Sequence, residues 1–462
     1  MDYSLSILVA ALALISLGLS RPARSVNAFF RGQSENAEPP GLLTLTFSQV
    51  TTWIFARSLM NAAILGFFYG IWGTLAYAAY YLSFWIGGRI IDKLRFEQGF
   101  DSVQAFLQNR FGNWGTRCYN LVIGIRLISE VFANLLVIGI LFGTTGSNAY
   151  TLAIIAFSGI TLAYSLLGGL HASLRTDLFQ MMLFLLVLVV LVFVAFGAPD
   201  VNLDMLLFKP FELDQPGPIL LLVALLQVWS YPMHDPVMMD RGFLADRETT
   251  RRSFFHAGWI SIACITAFGS LGVLAGAQAS AGEAMNTVLA RILGEIPLLL
   301  FNAALVISAM STLDSTLSSS AKLVALDMKA VPTTVQNGRL VMVVFMLLGL
   351  CCVFLGNKDL FSAVAVSGTA SMYLAPVVLI SLWGGRTDVP LWSYLASFVL
   401  AISGAVLYFT ESSGYSALLG DVHKYTKLLW ISATLLTSGL LLFWLGCLSA
   451  GTPKFKQAEQ VG

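Results

Sequence analysis

Long apolar runs separated by short polar breaks recur along the whole chain. An α-helix needs about 20 apolar residues to cross a hydrocarbon core of roughly 30 Å. Continuous apolarity, as from Met181 to Val194, favours helices over the alternating strands of a membrane β-barrel. The pattern predicts an all-α membrane protein with about 13 transmembrane helices. The predicted spans are 3–19, 44–69, 71–92, 115–143, 150–167, 174–197, 217–240, 254–277, 296–326, 338–356, 360–383, 390–409 and 425–447.

The composition agrees with a membrane domain that uses nearly all of the 462 residues. Hydrophobic residues make up 57% of the chain and charged residues 11%, and the mean hydropathy is +0.79. A net charge of +1 gives no reason to expect a nucleic-acid partner. The five cysteines are scattered and form no metal-binding spacing, and no phosphate-binding loop or catalytic constellation occurs. We therefore expect neither an enzyme, nor ATP-driven transport, nor an organic cofactor.

The distribution of basic residues predicts the orientation. With the N-terminus outside, nineteen of the 26 Lys and Arg residues fall on the inner side. The first span lacks a basic n-region and a cleavage site, so it is expected to be retained. We predict a protein of the bacterial inner (plasma) membrane with a cytoplasmic C-terminus and no soluble output domain. The basic residues that this orientation places outside are Lys209, Arg291, Lys358, Lys424 and Lys427.

A stripe of hydroxyl side chains runs through the span 296–326. Ser308, Ser311, Thr312 and Ser315 share one helix face, so their oxygens can line one cavity. Neutral hydroxyls and backbone carbonyls suit a dehydrated sodium ion. The alternative is that these hydroxyls bond carbonyls of their own helix and allow close packing. Asp314 within the stripe favours a functional site.

Two further segments carry polar residues at membrane depth. Asp177 follows the glycine pair of residues 168–180, where it is either functional or a helix-terminal carboxylate. Pro232 and Pro236 interrupt the span 217–240, which favours a solute site on a discontinuous helix over a simple kink. His234 beside Asp235 either relays protons or bonds within the break.

Three charges lie inside predicted spans. Arg126 and Glu130 are four residues apart and can pair on one helix face. Arg57 has no neighbour of opposite charge in its own segment. It either pairs with Glu130 across helices or presents its guanidinium to a polar group of the solute.

These segments resemble the sodium:solute symporter family, which includes sodium/proline, sodium/sugar and sodium/sialic-acid symporters. Residues 168–180 (GGLHASLRTDLFQ) are similar to the family's Gly-Gly and Thr-Asp segment, and residues 309–315 (AMSTLDS) to its Met-Ser segment. Residues 106–112 (FLQNRFG) and 374–379 add to the resemblance. It implies an inverted-repeat core of five plus five helices in which the first and sixth core helices are broken. The implied divisions are an N-terminal span and loop (1–43), repeat one (44–197), an extracellular linker (198–216), repeat two (217–383) and two C-terminal spans with a tail (384–462).

The resemblance also implies a sodium site between the first and eighth core helices. Matched by position, its ligands are the carbonyls of Thr51 and Ile54 together with Ser308, Ser311 and Thr312. The Ser308 position often carries Ala in the family, which then contributes its carbonyl.

Some family members bind a second sodium one turn further along the eighth core helix. The matching residues are Asp177, Ser311, Asp314 and Ser315. Asp314 departs from the hydroxyl of the sialic-acid branch, so a proton site or a structural carboxylate is an alternative.

The expected function is sodium-coupled import of a small polar solute, such as an amino acid or other carboxylate, by alternating access. Sodium and solute are the expected partners within the lipid bilayer, and the oligomeric state is not predicted. The first core span is also similar to the urea-transporting branch, although Arg57 departs from that branch. The alternatives are a proton-coupled transporter, a solute sensor or a channel. The predicted solute-binding residues are Trp53, Arg57, Ser58, Glu130, Tyr231 and His234.

Overall fold

The computed structural model describes residues 3–33, 38–197, 201–355 and 366–450. The secondary structure in these ranges is helical, and nine of the helices found there are long and apolar enough to cross a membrane. The prediction of an all-α integral membrane protein is confirmed. Parts of the predictions for the linker, the span from residue 360, Lys358 and the C-terminal tail lie outside the described ranges.

The helices follow one another with short connections. Short 3-10 or π turns extend some of the helices. In chain order they are α1 (Tyr3–Leu19), α2 (Val26–Arg31), α3 (Leu42–Trp53), α4 (Ala56–Ala79), α5 (Ser83–Ile91), α6 (Val103–Phe142), α7 (Asn148–Phe196), α8 (Pro216–Gln227), α9 (Tyr231–His234), α10 (Pro236–Arg241), α11 (Arg247–Gln278), α12 (Met285–Leu293), α13 (Glu295–Lys322), α14 (Val335–Leu355), α15 (Val366–Trp383), α16 (Leu391–Ser412) and α17 (Lys424–Ser449).

Two of the predicted spans are interrupted near their middle. The span 44–69 is divided between α3 and α4, because Ile54 and Phe55 leave helical geometry. The span 217–240 is divided among α8, α9 and α10. Pro236 begins α10, where its missing N–H costs nothing, and the Asp235 side chain caps this helix by accepting from the Met238 amide at 2.9 Å. These are the two interruptions expected for broken core helices.

Glycines mark other predicted boundaries between spans. Gly70 and Gly169 have φ values of 67° and 54°, which only glycine adopts readily. The chain doubles back at Gly70, since the Thr74 hydroxyl donates to the Ala62 carbonyl at 3.3 Å and the Tyr77 hydroxyl to Ser58 at 3.1 Å. The backbone at both glycines is non-helical, so α4 and α7 each consist of two helical segments that meet at a kink. The nine long helices of the described ranges count each kinked pair once, so their number is smaller than the predicted number of passes.

Helix α13 lies against both broken-helix regions. It packs on α3, α4, α6, α7 and α10, and its hydroxyl stripe is buried among them. The position of α4 is fixed by close packing on α11 through small residues. A side chain at Gly272 would overlap the Ala63 backbone, and one at Gly276 would overlap the Phe67 backbone.

Candidate functional site

The α3–α4 break meets the hydroxyl stripe of α13. The Ser308 hydroxyl donates a hydrogen bond to the Ile54 carbonyl, and the Thr312 hydroxyl donates to the Ser308 carbonyl at 2.9 Å. Thr51 lies buried one turn before the break, where the end of α3 leaves carbonyls without amides from a following turn. The break thus brings together neutral oxygens of the kind that bind a dehydrated monovalent cation.

Ser311 lies on the same face of α13, but its hydroxyl is hydrogen-bonded to a carboxylate. It donates to Asp177 Oδ1 at 2.6 Å, and the Ser48 hydroxyl donates to Asp177 Oδ2 at 2.6 Å. Asp177 is fully buried two turns beyond Gly169. The interpretation of Asp177 as a helix-terminal carboxylate is therefore wrong, because its oxygens bind side chains of other helices.

Asp314 lies beside Asp177 in one carboxylate cluster. Its Oδ1 accepts from Ser173 at 2.8 Å and from Ser315 at 3.2 Å, and its Oδ2 accepts from Thr176 at 2.9 Å. The four residues predicted for a second cation site are thus close together, and all are at most 1% exposed. The full carboxylate cluster comprises Ser48, Ser173, Thr176, Asp177, Arg241, Ser311, Asp314 and Ser315.

Arg241 supplies the positive charge of this cluster. Its Nη2 donates to Ser315 at 2.8 Å and lies 3.6 Å from Asp177 Oδ2, and its Nε donates to Ser48 at 3.2 Å. Arg241 is one of the nineteen basic residues that the predicted orientation places on the inner side, whereas its side chain is fully buried. Arg241, Ser48, Ser173 and Thr176 were not predicted as site residues. Ser173 and Thr176 lie in the family-like segment 168–180, whereas no local pattern distinguishes Arg241 and Ser48 from ordinary residues.

A second group of charges lies beside the α8–α10 break. Arg126 Nη2 is 2.5 Å from Glu130 Oε1 and 3.0 Å from Asp235 Oδ2. The predicted pairing of Arg126 with Glu130 is present. The alternative pairing of Arg57 with Glu130 is not, since none of the three Arg57 nitrogens has a hydrogen-bond partner among the described residues. The Arg57 guanidinium instead lies 5.5 Å from the centroid of the Phe55 ring.

An aromatic cavity of about 20 Å³ lies next to the α3–α4 break. Four of the six predicted solute-binding residues line it. Glu130 and His234 are not part of its lining. Glu130 pairs with Arg126, and His234 Nε2 lies 2.8 Å from the Ser367 hydroxyl. Asp235 faces Arg126 and the Met238 amide. The residues lining the aromatic cavity are Trp53, Phe55, Arg57, Ser58, Tyr77, Tyr80, Tyr81 and Tyr231.

The comparisons with known proteins agree with this geometry. Residues 41–206 match the sequence model of the sodium:solute symporter family, which confirms the resemblance over the segment from α3 to α7. The fold is similar to that of a Na⁺-coupled sialic acid symporter in a substrate-bound outward-open state, with 14% identity, a TM-score of 0.74 and 98% of each chain covered.

A second similar structure is a nucleobase-cation-symport-1 family transporter in a closed conformation with bound bromovinylhydantoin. The identity is 15% and the TM-score 0.55, with 95% of this chain and 97% of that chain covered. No curated protein matches the sequence. At these identities the two structures show a shared fold, and they leave the solute of this chain open.

Proposed function

We propose that this chain, whose fold is that of Na⁺-coupled symporters, is a sodium-coupled secondary transporter that imports a small polar organic solute. The observation that carries the proposal is the meeting of the Ile54 carbonyl with Ser308 at a helix break. Unwound backbone at membrane depth is expected only where it lines protein or a watery site. The family match over residues 41–206 supports the same function.

The proposed sodium site consists of the Thr51 and Ile54 carbonyls and the hydroxyls of Ser308, Ser311 and Thr312. A sodium ion here would bind oxygens of α3 and α13 together. It would therefore stabilise the conformation in which these helices are in contact and have less affinity for the conformation in which they separate. Such differential affinity is what couples an ion to a conformational change.

The carboxylate cluster is proposed as a second cation site. Asp177 and Asp314 contribute two negative charges against the one positive charge of Arg241. A buried net charge is costly without a counter-ion, so one monovalent cation would balance the group. Ser311 belongs to both proposed sites, since it lies one residue before Thr312 and donates to Asp177.

Alternating access would follow from the two broken-helix regions. We assign the repeats to residues 44–197 and 217–383 and place the solute near Arg57, Trp53, Ser58 and Tyr231, between the two breaks. We assign the N-terminus to the outside and the C-terminus to the cytoplasm. Sodium that flows inward down its gradient would drive import of the solute. Moving one charge through 100 mV supplies about 2.3 kcal/mol, which is enough for useful accumulation.

The paired carboxylates also favour one alternative, a proton-coupled transporter, since two carboxylates that share a site hold a proton readily. Uptake of labelled amino acids, organic acids, sugars and urea into proteoliposomes separates the candidates. The proposal predicts accumulation above the external concentration with an inward sodium gradient, and loss of accumulation when potassium replaces sodium. Accumulation driven by a proton gradient without sodium would favour the alternative, and equilibration without accumulation would indicate a channel.

A further inference from the structure

Arg57 is a fully buried cation whose hydrogen-bonding groups are unused. It is 0% exposed, and its Nε, Nη1 and Nη2 atoms have no hydrogen-bond partner in the described part of the chain. A buried guanidinium is costly unless it is paired, and the ring of Phe55 offers only a weak cation–π contact. This arrangement favours an anionic group from outside the chain as the partner of Arg57.

The neighbouring carboxylates are already engaged with another arginine. Glu130 Oε1 and Asp235 Oδ2 both lie within 3.0 Å of Arg126 Nη2. Thr316 donates to the other Glu130 oxygen at 3.2 Å, and the other Asp235 oxygen caps α10. The two positive charges of Arg57 and Arg126 balance the two carboxylates overall, but both carboxylates pair with Arg126. An incoming carboxylate therefore meets a free guanidinium, whereas an incoming ammonium group meets no uncommitted carboxylate.

Most hydroxyl groups on the remaining wall of the aromatic cavity are already hydrogen-bonded. Tyr80 donates to Gln227 at 2.9 Å, Tyr81 to the Trp53 carbonyl at 2.8 Å and Tyr77 to Ser58 at 3.1 Å. Apart from Arg57, two donors of this wall have no hydrogen bond in the described ranges, the fully buried Trp53 Nε1 and the Tyr231 hydroxyl. A cavity of about 20 Å³ has room for little more than one water molecule, so even a small solute must push the rings apart.

Arg57 also lies close to the proposed sodium site. It is the second residue of α4, where the helix dipole and free amides favour negative charge. Ile54, whose carbonyl is a proposed sodium ligand, lies three residues earlier at the negative end of α3. Sodium and a solute carboxylate would thus bind on opposite sides of one helix break, and each would offset the charge of the other.

We propose that the solute is a small monocarboxylate without an amino group, and that its carboxylate binds the Arg57 guanidinium. This inference rests on the proposed transport function and narrows the solute class. Arg57 binds both carboxylate oxygens, the aromatic rings contact a short apolar body, and the pairing of Glu130 and Asp235 with Arg126 leaves neither carboxylate uncommitted for the ammonium group of an amino acid.

The test compares propionate, alanine and propionamide as ligands of the purified full-length protein, using thermal unfolding and calorimetry. Propionamide has the same size without the charge, and alanine adds an ammonium group. We expect propionate to bind at least about 10-fold more tightly than either of the other two, since the charge-assisted bidentate contact is lost in the amide and the ammonium is unpaired in alanine. Tighter binding of alanine or propionamide would overturn the inference, as would tighter binding of chloride than of propionate.

Variants of Arg57 provide the second arm. Arg57→Gln should weaken propionate binding at least about 10-fold, and Arg57→Lys, which keeps the charge without the planar fork, should lie between Arg57→Gln and wild type. Arg117→Gln, at an exposed position of α6, is the matched control. A cooperative thermal unfolding transition without added ligand reports whether each variant is folded. Unchanged propionate binding in Arg57→Gln would overturn the inference. Propionate binding that needs Arg57 but does not respond to sodium would instead contradict the proposed sodium coupling and leave the carboxylate site standing.

Discussion

The Ser308 hydroxyl donates a hydrogen bond to the Ile54 carbonyl, joining residues 254 positions apart in the sequence. Ile54 lies where α3 stops, so its carbonyl has lost the amide that a continuous helix would supply. Ser308 lies in the buried hydroxyl stripe of α13. A cation bound here would take both oxygens as ligands and replace the hydrogen bond between them, which makes this contact the structural centre of the proposed sodium site.

Removing the Thr312 hydroxyl is predicted to weaken sodium binding. Thr312→Val keeps the shape of the side chain without its oxygen, whereas Thr312→Ser keeps the oxygen. Because one oxygen ligand is worth about 1–2 kcal/mol, the sodium concentration for half-maximal uptake should rise roughly 5- to 30-fold in Thr312→Val and little in Thr312→Ser. Sodium titrations of initial uptake measure this. Equal effects of both substitutions would argue that Thr312 serves only helix packing through its bond to the Ser308 carbonyl.

Neutralising Asp314 is predicted to remove the second cation. With Asn at this position, Asp177 and Arg241 balance each other without an added ion. The Hill coefficient for sodium in solute uptake should then fall from about 2 to about 1, while uptake continues. The surface substitution Asp204→Asn is the control, since that carboxylate is exposed. An unchanged Hill coefficient in Asp314→Asn would indicate that Asp314 is a structural carboxylate.

Arg126 is predicted to be essential for stability. Arg126→Met leaves Glu130 and Asp235 as buried carboxylates without their ion-pair partner, which should cost about 3–5 kcal/mol. Thermal unfolding in detergent measures the loss. Adding Glu130→Gln and Asp235→Asn to Arg126→Met should recover part of it, because the uncompensated charges are removed. A triple variant no more stable than Arg126→Met would contradict this explanation.

The α4–α11 contact is predicted to depend on the absence of a side chain at Gly272. Gly272→Ala forces a methyl group into the Ala63 backbone, so the two helices must separate and the melting temperature should fall. Gly159→Ala is the matched control, since Gly159 is an exposed helical glycine with no atom within 4 Å of an added methyl group. Similar melting temperatures for the two variants would show that the contact adapts without cost.

The sequence predicts most of the architecture because its signals are local. Apolar length indicates spans, prolines indicate the α8–α10 break, and glycines such as Gly70 and Gly169 indicate where helices change direction. The α3–α4 break falls at Ile54 and Phe55, which are not helix-breaking residues. It was expected only from the resemblance to the symporter family. The number of long helices in the described ranges is smaller than the predicted number of passes, since α4 and α7 each contain two segments that meet at a glycine kink.

The pairing of buried charges was predictable only in part. Arg126 and Glu130 are one helical turn apart, so their contact follows from spacing. Arg241 and Asp177 belong to different helices, and only the tertiary fold brings the guanidinium to within 3.6 Å of the carboxylate. The same holds for Arg57, whose lack of a hydrogen-bond partner among the described residues depends on where Arg126 and Asp235 lie. Long-range contacts of this kind leave no spacing in the sequence.

The most direct test of sodium coupling reverses the direction of energy transfer. Proteoliposomes are prepared with equal sodium on both sides, and an inward gradient of the solute identified in the uptake panel is imposed while radioactive sodium is followed. Because coupling is reciprocal, the proposal predicts transient accumulation of sodium above its external concentration in wild type and its loss in Thr312→Val. Solute entry that moves no sodium in the wild-type protein would contradict the proposed sodium symport.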